Sequence, residues 1–184
     1  MPKPKSGKRR LFRRRLPRTL RIRPLRRADL PDLARLFHDT VRRIDRRDYA
    51  APKLRAWSPR VRPAAFWRQR LQGRQGFGAL AKRKLVGFAS LGPQGAINLL
   101  YVQRKRQGRG VGRALVERLT AEARRQRIGC LTADASIAAR PFFEALGFRR
   151  VLTRLRHVGG RALRQYRMER RLNGSRPRRR TRAG

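Results

Sequence analysis

The chain has 184 residues, of which 52 are Lys or Arg and 10 are Asp or Glu, giving a formal net charge of +42. That length suits one domain with a real core. No apolar run approaches a membrane span, the single cysteine excludes a disulfide scaffold, and two His with one Cys cannot build a four-ligand zinc site.

Residues 1–18 are basic and acid-free, broken by Pro2, Pro4 and Pro17. They lack the apolar stretch of a secretory signal, so the expected location is cytoplasmic. Residues 173–184 are Gly, Ser, Pro and Arg. Both ends read as disordered basic arms around a domain at 19–172. Only seven of the basic residues are Lys and the other 45 are Arg, which pairs bidentately with phosphate and stacks on bases. Such density gives nonspecific affinity for nucleic acid or anionic membrane.

Between the arms the hydrophobic pattern is periodic. Leu20 and Ile22, followed by Pro24, predict a short strand. Asp29 and Asp32 open a helix with Leu33, Leu36, Phe37, Val41 and Ile44 on one face. Residues 42–63 read as irregular, and 64–71 as a second short helix. Two strands, 77–80 and 85–91, are joined by a turn at 82–84. Residues 97–102 form an apolar strand whose near-continuous hydrophobicity suits a central place. A helix follows at about 111–126, then a strand at 129–133. A helix at 137–146 is ended by Gly147. Closing strands fall at 148–155 and 162–168. The whole predicts a mixed α/β sheet flanked by helices.

The most informative stretch reads LYVQRKRQGRGVGRAL, residues 100–115. A buried strand runs into Gln107, Gly108, Arg109, Gly110, Val111 and Gly112, then into a helix. Three glycines let backbone N–H groups approach a ligand, and the helix adds its positive end. Arg106, Arg109 and Arg113 add charge-assisted contacts to a pyrophosphate. This is not a P-loop, which needs a Lys-Ser or Lys-Thr pair. It is not a dinucleotide fingerprint either, because the third glycine comes one residue early.

At these residues the chain resembles the Gcn5-related N-acetyltransferase (GNAT) superfamily. Val102 and Gln107 to Gly112 follow its acetyl-CoA signature, and the ASIAARPFFEALGF run at 135–148 resembles its second motif. Arg47-Asp48-Tyr49, Trp57 and the LYV strand end are similar to a bacterial subgroup of small acetyltransferases. The resemblance implies a central sheet splayed beside Leu100, Tyr101 and Val102, with the pantetheine arm of acetyl-CoA in the gap. The pyrophosphate then lies on Gly108 to Arg113, and Phe143 occupies a cofactor-site position. It also implies direct attack of a primary amine on the thioester, without a covalent enzyme intermediate.

The subgroup carries a titratable residue at position 96 and an acid at 98, where this chain has Ala96 and Asn98. Asn98 holds a water by hydrogen bonding but cannot take its proton. Asp134, at the end of the strand across the splay, is then the candidate base. Tyr166 is the candidate donor to the thiolate, because the usual Tyr position holds Phe143. Tyr49 and Trp57 are the candidate acceptor wall. Ser136 is read as a helix cap, and His38, His157 and Cys130 as structural. The alternative reading is a nucleic-acid-binding polycation on the same scaffold, with weak or no catalysis.

Overall fold

The computed structural model describes residues 20–44, 48–158 and 160–172. The two basic arms and Arg47 lie outside the described residues. Seven strands form one sheet: β1 (Leu20–Pro24), β2 (Gln75–Ala81), β3 (Lys84–Leu91), β4 (Ala96–Val102), β5 (Cys130–Ser136), β6 (Arg149–Val158) and β7 (Arg161–Arg171). Their order is β1-β2-β3-β4-β5-β7-β6. Every neighbouring pair is antiparallel except β4 and β5, which run parallel.

Helices α1 (Leu30–Arg42), α2 (Ala51–Trp57) and α3 (Ala64–Leu71) precede β2, α4 (Val111–Arg125) joins β4 to β5, and α5 (Arg140–Ala145) joins β5 to β6. On one sheet face, Leu30, Leu33 and Leu36 of α1 and Trp67 of α3 pack on Phe88 and Leu99. On the other, Val111, Leu115, Val116 and Leu119 of α4 and Phe143 of α5 pack on the inner residues of β2 to β5 and β7. Gly87 makes that second approach possible, because a Cβ there would press on Tyr101 O, Leu115 and Val111 at 3.1–3.2 Å.

The helix at α1 starts where expected. The Asp29 carboxylate accepts the Arg26 N–H at 2.7 Å and both Arg23 guanidinium nitrogens at 2.7 and 2.8 Å. This fork ties β1 to the start of α1 and holds the Asp29 carboxyl below its ordinary range. The stretch at 42–63 is not irregular throughout. It contains α2, whose Pro52 stands in the first turn, where its missing N–H leaves no hydrogen bond broken. β5 runs three residues further than its apolar core suggests, to Ser136, because it pairs with β7 along its whole length. Helix α5 is correspondingly shorter, and Ser136 Oγ accepts the Ala139 N–H at 3.1 Å ahead of it. Gly147, at φ +81°, ends that helix as read from the sequence.

Glu122 is the one acid in the buried part of α4, with its side chain 4% exposed. Arg125 donates to it at 2.6 and 3.1 Å, Gln126 at 3.0 Å and Arg118 at 3.3 Å. The Arg125 and Gln126 hydrogen bonds lead in pulling its carboxyl from 4.5 down to about 2. A depressed folded-state pKa means stability that is present above 4.5 and lost as pH falls toward 2. Melting curves from pH 7 to pH 2.5 are expected to show that acid loss in the wild type. Glu122→Gln should melt a few degrees lower at pH 7 and show a smaller drop on acidification. Parallel pH curves for the two proteins would refute the assignment.

Candidate active site

β4 and β5 are paired only at Ala96 with Thr132 and Ile97 with Ala133. Beyond Ile97 the strands part. β4 stays on β3 as far as Val102, while β5 stays on β7 as far as Ser136. The edge of Leu99–Val102 that faces β5 therefore has no strand partner. The split falls beside Leu100, Tyr101 and Val102.

At the open end the chain turns through Arg104–Arg106 into the glycine loop. Gly108 and Gly110 have φ of +68° and +80°, which L side chains adopt only with strain. The first backbone bond at the start of α4 is Ala114 N–H to Gly110 O at 3.0 Å. Among the described residues, the N–H groups of 108–113 have no backbone acceptor. Six free donors at a helix N-terminus form a cradle for an anion such as a pyrophosphate. Gly108, Gly110, Gly112 and Arg113 line a small pocket with Phe142, Ala145 and Leu146. A Cβ on Gly112 would touch the Phe142 ring at 3.0 Å, so that glycine lets α5 close the pocket wall.

The loop residues act differently from one another. The Gln107 side chain donates to Val102 O at 3.0 Å and so ties the loop back onto the strand end. Val111 is 1% exposed, so only its N–H is available to a ligand. Arg109 is exposed and Arg113 half-buried. Phe143 differs from its expected place. It is 4% exposed and packed edge-on against Phe142 and Phe148, so Phe142 takes the position beside the loop.

Asp134 and Tyr166, read as base and acid, do not share a face of the sheet. Asp134 stands opposite Arg167 in the β5–β7 register, and Ala135 stands opposite Tyr166. Residues opposed in a ladder point to the same side, and successive residues alternate. Tyr166 therefore packs toward α5, under Arg140 at 5.1 Å and Arg150 at 5.7 Å. Asp134 lies on the other side, exposed, with Arg167 at 3.4 Å and Arg154 at 3.8 Å. Asn98 is the extra residue of a bulge, because Ser90 pairs with Leu99 and Leu91 with Ile97. Its carboxamide is folded over Gly92, where any Cβ would collide with it.

The acceptor wall is also partly revised. Tyr49 is 3% exposed, and its hydroxyl donates to Arg164 O at 2.5 Å and accepts the Ile137 N–H at 3.1 Å. Burial leads in raising its phenol above the ordinary range. It is a strut between the start of α2 and the ends of β5 and β7, with its hydroxyl proton committed to Arg164 O. Trp57 packs edge-on against it at 5.8 Å and is half-buried. His38 holds Ser58 at 2.9 Å and joins α1 to the end of α2. Cys130 is half-buried at the start of β5, and burial raises its thiol, which suits packing over nucleophilic chemistry.

Sequence reading did not single out Phe142 as a residue of the pocket beside the glycine loop. The second motif pointed to the neighbouring Phe143.

A mixed sheet whose parallel centre parts in front of a glycine loop and helix is the layout of an acyl-CoA N-acyltransferase. Residues 45–170 match the acetyltransferase (GNAT) domain family. The chain belongs to that family and is an acetyltransferase with acetyl-CoA as its donor. It is similar to the uncharacterized N-acetyltransferase YafP of Escherichia coli strain K12, at 30% identity over 132 residues, which is 72% of this chain and 83% of the relative. A GCN5-related N-acetyltransferase from Rhodopseudomonas palustris superposes with a TM-score of 0.80 at 29% identity, over 84% of this chain and 96% of that one. In fold it is also similar to yncA, a putative acetyltransferase of Salmonella typhimurium solved with acetyl-CoA. That TM-score is 0.64 at 22% identity, over 85% of this chain and 95% of that one. Among the described residues, no helix is long and apolar enough to cross a membrane.

Proposed function

We propose that the enzyme transfers acetyl directly to a primary amine of an acceptor that enters from the Asp134 side of the sheet. The observation that carries this reading is the parting of β4 from β5 after Ile97, beside the free N–H groups of 108–113. In this reading the open edge of Leu100, Tyr101 and Val102 aligns the pantetheine arm. Gly108 to Arg113 hold the pyrophosphate, with Gln107 fixing the loop. Bound acetyl-CoA supplies an acyl thioester, which is activated toward amines.

The protein's share is to hold the amine, to take its proton and to steady the developing oxyanion. Asp134 is the candidate base, and Arg154 and Arg167 fix where its oxygens point. Asn98 orders solvent at the bulge. Tyr166 stands on the α5 side of the sheet, so its candidate role is limited to a donor at the rear wall of the gap. Trp57, half-buried, is the more accessible part of the acceptor wall, and Tyr49 buttresses it. The nucleic-acid reading rests on composition, and the arms that motivate it lie outside the described residues.

Release of free CoA in the presence of a panel of primary amines tests the reaction. Asp134→Asn is expected to lower kcat by about 100-fold, the scale of one general base. Asn98→Ala should change it only a few-fold. Near-wild-type rates for both variants would remove Asp134 from the role of base.

A further inference from the structure

The sheet ends on β6, and that strand is the least covered part of the molecule. Of its ten residues, Arg149 to His157 are all exposed and Val158 is half-buried. One edge is paired with β7, and among the described residues the other edge has no strand partner. Among those residues four large apolar side chains are exposed, and three of them stand here: Val151 at 54%, Leu152 at 42% and Leu155 at 65%. The opposite edge of the sheet differs. β1 has five residues, ends at Pro24 and keeps most of its side chains half-buried.

The β6–β7 register sorts the side chains by face. Val151 is the extra residue of a bulge, because Arg150 stands opposite Met168 and Leu152 opposite Arg167. From Leu152 to Val158 the pairing is unbroken. Thr153 stands opposite Tyr166, so Thr153, Leu155 and His157 point to the α5 side. Leu152, Arg154, Arg156 and Val158 point to the Asp134 side, where Arg154 meets that carboxylate at 3.8 Å. β5 accompanies β7 only as far as Gln165, so from Leu155 to Arg164 the hairpin is a two-stranded ribbon. Such a ribbon is marginal in water by itself. Leu163, buried with Tyr49 and Leu54, holds this one down on one side only.

A free edge is a row of N–H and C=O groups ready to pair with another chain. An added strand takes its affinity from those main-chain bonds and its specificity from alternate side chains. Here Arg154 and Arg156 stand two apart on one face, with Leu155 between them on the other. β6 contains no acid. Among the described residues Arg156 has no carboxylate partner. A second copy of this chain fits the edge poorly. Each copy carries +42 and would set Arg149, Arg150, Arg154 and Arg156 against the same four residues. Charges across a ladder lie closer than the screening length of about 8 Å, and like pairs there destabilise the pairing.

We propose that Leu152–Val158 is a docking edge for an extended acidic segment of another protein, which joins the sheet as an additional strand beside β6. The register specifies the pattern of that segment. Its acidic residues stand two apart and face Arg154 and Arg156, and the apolar residues between them lie on the side of Leu155. This surface stands on the strand's own geometry and does not depend on the acetyl-transfer reading.

The test uses the full chain and a capped, dye-labelled peptide of alternating Glu and Val, followed by fluorescence anisotropy at physiological salt. A block peptide of the same composition, with its Glu residues together, carries the charge without the pattern. The alternating peptide is expected to bind at least about tenfold more tightly. Two further peptides are N-methylated, one at every Glu and one at every Val. Alternate N–H groups of a strand face the same edge, so the two sets meet β6 differently, and one peptide is expected to bind about tenfold more weakly than the other. Leu155→Asp and Arg156→Glu should each weaken the alternating peptide about tenfold, with acetyl-CoA affinity and melting temperature unchanged. Lys84→Glu makes the same change of charge as Arg156→Glu on β3, with three strands between, and should keep the binding.

Equal affinity for the alternating and block peptides overturns the inference and leaves only the general field of a cationic chain. Equal affinity for the two N-methylated peptides, or an equal loss in Lys84→Glu and Arg156→Glu, does the same. Sedimentation of the protein alone is expected to show a monomer throughout the titrated range. A dimer that Leu155→Asp converts to monomer would assign the edge to a second copy and overturn the proposal.

Discussion

Gly110→Glu is expected to lower acetyl-CoA affinity at least about 100-fold, a loss of roughly 2.8 kcal/mol at 1.4 kcal/mol per tenfold. Two effects add. Gly110 holds φ +80°, a conformation that costs an L side chain about 1–2 kcal/mol. The new carboxylate then stands at the head of α4, where the free N–H groups of 108–113 would otherwise meet a pyrophosphate. Gly110→Ala carries the strain without the charge and is expected to lose about tenfold. Calorimetric titration of acetyl-CoA separates the two contributions. Wild-type affinity in Gly110→Glu would show that the donor lies elsewhere. A melting temperature within a few degrees of wild type would show that any loss is local.

The largest effect on stability is expected at Phe88→Ala. Phe88 is completely buried, stacked on Tyr101 at 5.4 Å and meeting Trp67 at 6.1 Å. Removing a buried Phe costs about 3–5 kcal/mol, because the site loses both transfer energy and the atoms that filled it. At roughly 2–4 °C per kcal/mol for a domain of this size, the melting temperature should fall by about 6–20 °C. Leu155→Ala, at a site 65% exposed on β6, should change it little. Because Tyr101 of the open β4 edge leans on Phe88, any Phe88→Ala protein that still folds should show a KM for acetyl-CoA above that of the wild type. Urea unfolding at neutral pH measures the first effect and initial rates the second. A loss under 1 kcal/mol would contradict the packing described.

Much of the fold was legible because it is written in short-range patterns. The spacing of Leu33, Leu36 and Val41 marks α1, and all three are buried there. Gly108 and Gly110 hold φ values that L residues avoid, and Gly112 leaves room for the Phe142 ring, so the three glycines signal backbone and packing requirements. Gly147 ends α5 for the same reason. The second motif leads to the helix that closes the loop pocket, where Phe142 lines the wall and the neighbouring Phe143 is packed into the core. Adjacent aromatics at a helix start differ only in which one the neighbouring elements cover.

The missing parts depend on partners distant in sequence. Helix α2 has a Pro in its first turn and too few residues for a periodic face, so its stability comes from Leu54 packing with Tyr49 and Leu163. By its place on the last strand Tyr166 is a candidate acid for the site. Its face was decided by a register that sets it opposite Ala135 and sets Arg167 opposite Asp134. One residue of slip would have exchanged the two. The Tyr49 hydroxyl proton goes to Arg164 O, a partner 115 residues away that no local pattern announces.

The net charge of +42 belongs with the features that sequence states and cannot interpret. By itself the sequence determined the element order, the glycine loop and the family resemblance, because each rests on local spacing and on backbone conformations that few residues tolerate. Only the tertiary structure decided which charges matter. The parting of β4 from β5, the opposite facings of Asp134 and Tyr166, and the packing of Tyr49 against Leu163 of β7 all require strand register and hairpin reach. Contacts between residues tens of positions apart are set by packing the whole chain, and no local pattern records them.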